Sequence, residues 1–464
     1  MEKTRQPIVT VLGHVDHGKT TFLDVVRKTS VAKKEAGGIT QSIGASVVST
    51  KGGKKITFID TPGHAAFVKM RSRGAKLADV AILVVAGDGG VKPQTKEALI
   101  HIREAEIPFI VAVTKIDIAS SSVETVRGQL EKEGVLFEGK GGDTPLVSLS
   151  AKEGKGINDL LEMIILVSEV NEIKADEKGK LEGVVIETSK DRWGSLVSVV
   201  IRNGTLSVRD EILAENIDCK VRGLFDGKGR SIKKTLPGEP VLILGFSELP
   251  PVGAKVSFLK DKGKIKEKEK KISVPKVEEG QIPIVFKAQS VGALEALLAN
   301  LPPEVVAVSS GVGEVNKSDV FFAKAAGPAH IFTFETKISL SIKKLAETEG
   351  VTVESFNVIY KLLERLEELI KEGETEVLGK AEIIASFPFD DKLVAGCRVI
   401  SGRIKVKDTM LLMRKDKELG EVKALSIKKQ KQKMLEVKEG EEFGVIFEPQ
   451  LDFEKGDVLV SVRK

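Results

Sequence analysis

The chain has 464 residues, 41% of them hydrophobic and 30% charged, with a net charge of +5 and only two cysteines, Cys219 and Cys397. That composition predicts a soluble, core-forming protein of roughly three or four domains. It excludes a disulfide scaffold and a CxxC metal site, and with no run of ~18 apolar residues it excludes a membrane-spanning helix. The mild charge permits a nucleic-acid partner without arguing for one, and the 5% aromatic content disfavours a platform for stacking single-stranded bases.

Residues Met1 to Pro7 lack the apolar stretch of a secretory signal, which predicts a cytoplasmic protein. Ile8 to Leu12 reads as a strand and Thr21 to Arg27 as the start of a helix. Between them, Gly13-His14-Val15-Asp16-His17-Gly18-Lys19-Thr20 fits G-x-x-x-x-G-K-[ST], a loop whose backbone amides wrap nucleotide phosphates. Lys19 is expected to reach the β- and γ-phosphates and the Thr20 hydroxyl to ligate Mg²⁺. The alternative, a glycine-rich turn with a chance lysine, lacks a reason for the strand–loop–helix context.

Lys55 to Ile59 predicts a second strand, followed by Asp60-Thr61-Pro62-Gly63-His64. A carboxylate at the end of a neighbouring strand helps hold Mg²⁺, here Asp60 through water, and Gly63 lets the backbone approach a γ-phosphate. Glu97 to Ala105 is helical by pattern, and its His101 is read as a surface or packing residue. Ile110 to Val113 is a buried strand leading into Thr114-Lys115-Ile116-Asp117. A carboxylate at Asp117 can accept hydrogen bonds from N1–H and the exocyclic amine of guanine, a donor pair adenine lacks. The Lys115 stem is expected to cover the base. Pro145 to Leu149 leads into Ser150-Ala151-Lys152, where the Ala151 amide can meet guanine O6. The ligands predicted are GTP or GDP with Mg²⁺.

Beyond Val170 the texture changes. Asn171 to Lys180 is a polar connection, and Leu181 to Leu259 alternates short apolar runs with glycine turns, as an antiparallel β-barrel does. Asp261 to Lys271 reads as a solvated linker or an exposed helix. From Ile282 a strand, a helix, a strand and a helix predict a small α/β domain, in which Gly311-Val312-Gly313 is read as a tight turn. Asn357 to Glu372 carries an i, i+3, i+4, i+7 apolar stripe and predicts one amphipathic helix, packed at a domain edge or serving as a rigid spacer. The last segment repeats the barrel: Gly204 to Asp210 lines up with Gly402 to Asp408, and Gly238-Glu239 with Gly440-Glu441. The expected fold is multidomain α/β plus β: a P-loop GTPase domain (1–172), two related β-barrels (180–262 and 376–464), a small α/β sandwich domain (276–355) and a connecting helix (356–374).

These motifs resemble the translational GTPase family over about residues 5–170. The family writes its phosphate loop G-H-V-D-H-G-K-[ST] and its second switch D-T-P-G-H, as this chain does. The resemblance implies that His64 orients the attacking water, although a histidine there can also simply cap the following helix. It implies that Val15 and Ile39 form an apolar gate and that Thr40, within Gly37-Gly38-Ile39-Thr40-Gln41, joins the metal site. The family's usual guanine motif begins with asparagine; this chain has Thr114.

Over the whole chain the domain order resembles the bacterial initiation-factor branch of that family, without the long N-terminal extension many members carry. Residues 37–45, 282–293, 356–360 and 395–397 carry the likeness. It implies a ribosome-stimulated GTP hydrolase that promotes binding of formylmethionyl initiator tRNA to the small ribosomal subunit and promotes subunit joining. The implied partners are both ribosomal subunits, that tRNA and other initiation factors, with no membrane partner and a monomeric chain. The implied tRNA site comprises Cys397, Lys428, Lys429, Gln430, Glu442, Phe443 and Gly444; the family commonly has an aromatic at Gln430 and a cysteine at Phe443. The basic stretch Lys428 to Lys433 also reads as a solvated loop. The alternatives are a specialised elongation-type GTPase delivering a charged tRNA and a non-catalytic scaffold, against which His64 and Thr40 argue.

Overall fold

The computed structural model describes residues 2–27, 44–191, 193–261, 277, 281–326, 330–373, 376–389, 392–406, 408–414, 417–429 and 432–463. Ile39, Thr40, Gln430 and linker residues 262–276 lie outside the described residues. Two compact units emerge, Met1–Leu363 and Glu364–Lys464.

The first unit begins with a six-stranded sheet. Its strands are β1 (Ile8–Gly13), β2 (Gly44–Ser49), β3 (Lys55–Asp60), β4 (Val80–Ala86), β5 (Phe109–Thr114) and β6 (Leu146–Ser148). They lie in the order β2-β3-β1-β4-β5-β6, parallel except for the antiparallel edge pair β2–β3. Helices α1 (Lys19–Arg27), α2 (Val68–Leu77), α3 (Pro93–Ala105), α4 (Val123–Lys132) and α5 (Ile157–Val170) cover both faces. Every residue of β1 and β4 is buried, as expected for strands covered on both faces. Val9 and Val11 pack with Phe22 of α1 and Leu160 of α5, while Leu12 packs with Ala75 of α2, Leu99 of α3 and Leu130 of α4. The carboxyl ends of β1, β3, β5 and β6 therefore deliver all four nucleotide motifs to one edge of the sheet, where open α/β sheets bind ligands.

The next strands are β7 (Glu182–Asp191), β8 (Gly194–Asn203), β9 (Glu211–Ala214), β10 (Ile217–Phe225), β11 (Pro240–Phe246) and β12 (Lys255–Phe258). They close in the ring β7-β8-β11-β10-β9-β12 around Val185, Val197, Ile212, Val221 and Ile243. A four-stranded parallel sheet follows, formed by β13 (Ile282–Ala288), β14 (Val305–Val312), β15 (His330–Phe334) and β16 (Thr352–Phe356) in the order β14-β13-β15-β16. Helices α6 (Val291–Ala299), α7 (Lys317–Ala326) and α8 (Leu340–Glu349) connect its strands. Here the turn reading of residues 311–313 needs correction: Gly311 and Val312 are strand residues paired with Lys287 and Ala288, and the left-handed residue is Gly313 at φ +102°. Helix α9 (Ile359–Gly373) begins in the first unit, with Ile359 and Leu362 fully buried.

The second unit is a barrel of β17 (Glu376–Phe389), β18 (Lys392–Lys405), β19 (Thr409–Arg414), β20 (Lys417–Lys429), β21 (Glu442–Glu448) and β22 (Val458–Arg463). Its ring, β17-β18-β21-β20-β19-β22, repeats the first barrel strand for strand. The turn chemistry repeats as well. Gly204 and Gly402 both have positive φ. Asp210 accepts from the Ser207 amide at 2.7 Å and Asp408 from the Lys405 amide at 2.9 Å. Glu239 accepts from Leu236 and Glu441 from Lys438 in the same three-residue clasp. Both barrels and the P-loop sheet match the fold class expected from the sequence.

Within the first unit, specific polar contacts join its parts. Asp79 receives a two-pronged hydrogen bond from Arg5 at 2.6 and 2.7 Å and lies 3.3 Å from Arg202 of the barrel. The Gly238 carbonyl of the barrel accepts from Gln6 at 2.9 Å and from the Thr57 hydroxyl at 2.5 Å. Arg73 of α2 pairs with Glu295 of α6 at 2.5 Å, and Asn300 donates to the Ala66 carbonyl at 3.2 Å. Among the described residues no helix is long and apolar enough to cross a membrane.

Candidate nucleotide site

The phosphate loop leaves β1 at Gly13, whose φ of +145° and close approach to the Val84 carbonyl leave no room for a Cβ. Asp16 and Gly18 also take positive φ, 60° and 88°, so the loop curls before α1 starts at Lys19. The Val15 amide donates to Gln94 Oε1 at 2.9 Å. Lys19 turns back across the loop, its Nζ donating to the Gly13 carbonyl at 2.8 Å and to the His14 carbonyl at 2.5 Å. Burial lowers its pKa to about 8 against the opposing pull of Asp60. His17 is likewise buried, and desolvation together with His14 and Lys19 lowers its pKa to about 4.

The second motif meets the first at one point. A Cβ on Gly63 would collide with the Lys19 ammonium, so the loop from β3 and the loop from β1 wall a single pocket. Asp60 is buried at the end of β3; burial raises its pKa, opposed by Arg27 at 3.4 Å. Its Oδ1 is buried without a hydrogen-bond partner, which suits a carboxylate waiting for a hydrated cation. Thr61 ties the loop back by donating to the Val11 carbonyl at 2.9 Å.

His64 is 7% exposed. Its Nδ1 accepts from the Ala66 amide at 3.0 Å, capping the short 3-10 turn Ala65–Phe67. In this conformation the imidazole is engaged by its own 3-10 turn. Burial, then the charge of Arg71, lowers the imidazole pKa to about 4, so the ring is neutral at pH 7. Arg71 of α2 is fully buried and donates to the carbonyls of Pro62 and His64 and, at 2.6 Å, to Glu97 of α3. His101 lies 3.3 Å from the same Glu97 oxygen. The packing residue of the sequence reading thus borders the network that holds the His64 loop. Neither Arg71 nor Glu97 belongs to a nucleotide motif, and in the basic stretch Val68–Leu77 nothing in the sequence marks Arg71 as the buried arginine.

At the base end, Asp117 accepts from the Ser150 hydroxyl at 2.7 Å, and that bond holds its pKa below the usual carboxylate value. Ser150 is buried and also caps the Glu153 amide at 3.2 Å. Lys115 has φ +58° and lies 3.7 Å from Asp88. The Thr114 hydroxyl donates to the His17 carbonyl at 2.6 Å, joining the end of β5 to the phosphate loop. Thr114, Lys115, Asp117, Ser150, Ala151 and Lys152 are thus gathered where β5 and β6 end.

In the C-terminal barrel the cluster expected to meet tRNA divides. The side chains of Cys397 and Phe443 are buried in the barrel core, and burial pushes the Cys397 thiol up to about 12. Barrel closure turns both side chains inward. Their strands instead present Arg398 bonded to Glu442 at 3.1 Å, and a row Gly396–Gly444–Lys428 across β18, β21 and β20. Phe387 is 56% exposed beside Gly396, and Val394 lies against Gly444. Lys429 pairs with Glu441 at 2.7 Å.

A phosphate loop, a D-x-x-G loop and a T-K-x-D loop on one predominantly parallel sheet, followed by a closed barrel, define a GTPase of the translation-factor class. Residues 4–169 match the elongation factor Tu GTP binding domain, 180–258 match elongation factor G domain 2, and 258–367 match translation-initiation factor 2. Translation initiation factor IF-2 of Halothermothrix orenii is 42% identical, covering 98% of this chain and 71% of that protein. The Aquifex aeolicus factor of the same name is 40% identical, covering 98% of this chain and 60% of that one. A solved structure of GDP-bound aIF5B from Aeropyrum pernix is 28% identical, covering 99% of this chain and 92% of that chain with a TM-score of 0.45. The chain belongs to the translation initiation factor IF-2 family and is an initiation-factor GTPase that hydrolyses GTP.

Proposed function

We propose that the site gathered at the ends of β1, β3, β5 and β6 hydrolyses GTP on the ribosome, with His64 orienting the attacking water. The observation that carries the reading is the convergence of Gly63 on the Lys19 ammonium, which puts His64 one residue from the phosphate pocket. The loop amides of residues 13–20 cradle the phosphates, and the Lys19 ammonium exchanges its two carbonyl partners for β- and γ-phosphate oxygens. Asp117 accepts from N1–H and the amine of guanine, the Lys115 stem covers the ring, and the Ala151 amide meets O6, with Ser150 and Lys152 flanking. Mg²⁺ would be held by Thr20, by Thr40 and, through water, by Asp60, whose orphaned buried oxygen fits that role; bound there, the ion neutralises charge on the phosphates. The water oxygen attacks the γ-phosphorus, the bond to the β–γ bridging oxygen breaks, and the water proton leaves on the phosphate. A neutral His64 can hold that water without protonating it. Val15 and Ile39 screen the site until the ribosome acts. His64→Ala should keep GTP affinity and lose most ribosome-stimulated turnover; unchanged stimulated turnover would overturn the assignment.

We further propose that the C-terminal barrel binds the 3′ end of formylmethionyl initiator tRNA, bringing it to the small subunit before the large subunit joins. The Gly396–Gly444–Lys428 row, flanked by the exposed Phe387, offers an apolar strip beside a cation, suited to a methionyl group next to phosphate. Cys397 and Phe443 shape that strip from beneath, and Lys429 and Glu442 stand next to it on the same strands; Gln430, outside the described residues, completes the proposed set with Lys428 and Gly444. Lys428→Ala with Lys429→Ala should weaken tRNA binding by the full chain and flatten its salt dependence together. Equal affinity for formylated and unformylated tRNA would favour an elongation-type carrier instead. Other initiation factors, a monomeric chain and a cytoplasmic location complete the proposal.

A further inference from the structure

The His64 imidazole has a second partner besides the Ala66 amide. The ring of Tyr360, in the first turn of α9, stands edge-on to it with centroids 3.8 Å apart and planes at 78°. Phe67 is a further ring neighbour, with centroids 6.2 Å apart and planes at 75°. Tyr360 is 42% exposed while His64 is 7% exposed, so the phenol ring borders water on one side and touches the buried imidazole on the other. With Nδ1 engaged by the Ala66 N–H, the neutral ring carries its proton on Nε2 and is turned onto its own 3-10 segment. Ile359 and Leu362, both fully buried, fix the helix turn that presents Tyr360, so the ring is held from a packed element.

We propose that Tyr360 is a positioning residue for GTP hydrolysis: its ring holds His64 turned back onto the Ala66 amide in the resting protein, and His64 serves the nucleotide only when that ring withdraws. This rests on the catalytic reading of His64. An edge-to-face contact between two rings is a modest hold, one that a binding partner can undo. Tyr360 touches no nucleotide motif other than His64 among the contacts described, so its effect falls on turnover and spares GTP binding. The connecting helix, which carries the chain toward its C-terminal barrel, thereby bears on the water-orienting residue itself.

The test uses the full chain without ribosomes. Tyr360 is the chain's one tyrosine and His64 one of five histidines, so the His64 ring resonances can be assigned by difference from His64→Ala. Tyr360→Ala and Tyr360→Leu should raise basal kcat about three- to tenfold, the worth of one aromatic edge contact, with KM for GTP unchanged. Both should shift the His64 ring protons as the ring current is lost, and Tyr360→Phe should restore rate and resonances. Unchanged kcat in both the alanine and leucine variants overturns the proposal, even where the resonances move. A rate increase that persists when Tyr360→Ala is placed in the His64→Ala background also overturns it, because Tyr360 would then act elsewhere. Full ribosome-stimulated turnover by His64→Ala alone would instead remove the catalytic reading of His64, a separate failure.

Discussion

Thr114 shows how much one hydroxyl can do. The family's usual asparagine at this place is replaced, yet the Thr114 hydroxyl reaches the His17 carbonyl at 2.6 Å and ties the end of β5 to the phosphate loop. Thr114→Val keeps the shape and deletes the bond, leaving a buried carbonyl short of a donor. A loss of about 1 kcal/mol, roughly fivefold in GDP affinity measured with a fluorescent nucleotide, is expected. Asp117→Asn should exchange guanine for xanthine, whose carbonyl replaces the amine; the ratio of the two affinities should change by about 100-fold or more. If guanine preference survives, Asp117 is not the base reader. The positions of Lys19, Asp60, Gly63 and Asp117 were legible in the sequence because each motif is short and its geometry is set by one strand end. The Thr114–His17 bond was not, because it joins two motifs far apart in the chain.

At the scale of elements, α2 and α3 hold the His64 loop through Arg71 and Glu97. Arg71 is fully buried, and its carboxylate partner sits on another helix. Glu97→Ala leaves that guanidinium with carbonyl acceptors only, and should cost about 2 kcal/mol of unfolding free energy. It should also lower ribosome-stimulated hydrolysis more than GTP affinity; equal loss of both would mean that the network serves the whole fold and not this loop. In the C-terminal barrel Asp457 accepts from Arg414 at two 3.0 Å contacts, and that bonding holds its pKa below the ordinary value. A depressed folded-state pKa contributes stability above the unfolded pKa, lost as pH falls through the folded one. Asp457→Asn should therefore melt below the wild type at pH 7, with the gap closing as the pH falls through and below the ordinary aspartate range. A gap that stays constant with pH would rule out the ion pair as its source. Helix α9 was legible from its apolar stripe, but the stripe marks the buried face and says nothing of Tyr360 on its flank.

For the whole molecule the informative comparison is between the barrels. Their shared ring order was foreshadowed by Gly204 to Asp210 against Gly402 to Asp408, because matching turns demand matching glycines and aspartates. Gly238 and Gly440 are equivalents with φ of +88° and +83°, yet only Gly238 is pressed against another part of the chain, at Gln6; a Cβ on Gly440 meets nothing within 4 Å. Gly440→Ala should thus cost only the left-handed backbone penalty, about 1 kcal/mol. Gly238→Ala should cost more and loosen the GTPase domain from its barrel, visible as faster hydrogen exchange around Gln6 and Thr57. Equal cost at the two sites would show that the Gln6 contact yields freely. The sequence could not distinguish these glycines, because the difference lies in what packs against each turn.

Each barrel also encloses one thiol, Cys219 in the first and Cys397 in the second, both buried and both with pKa pushed up to about 12. The folded protein is therefore nearly silent toward maleimides and disulfide reagents, since neither sulfur is ionised or reachable. Each sulfur becomes a private clock: its slow labelling measures how often its own barrel opens, and mass spectrometry of the two peptides times the two domains separately in one sample. A single cysteine introduced on the surface would label against almost no background, so probes can be placed beside His64 or along α9 without first removing the native pair.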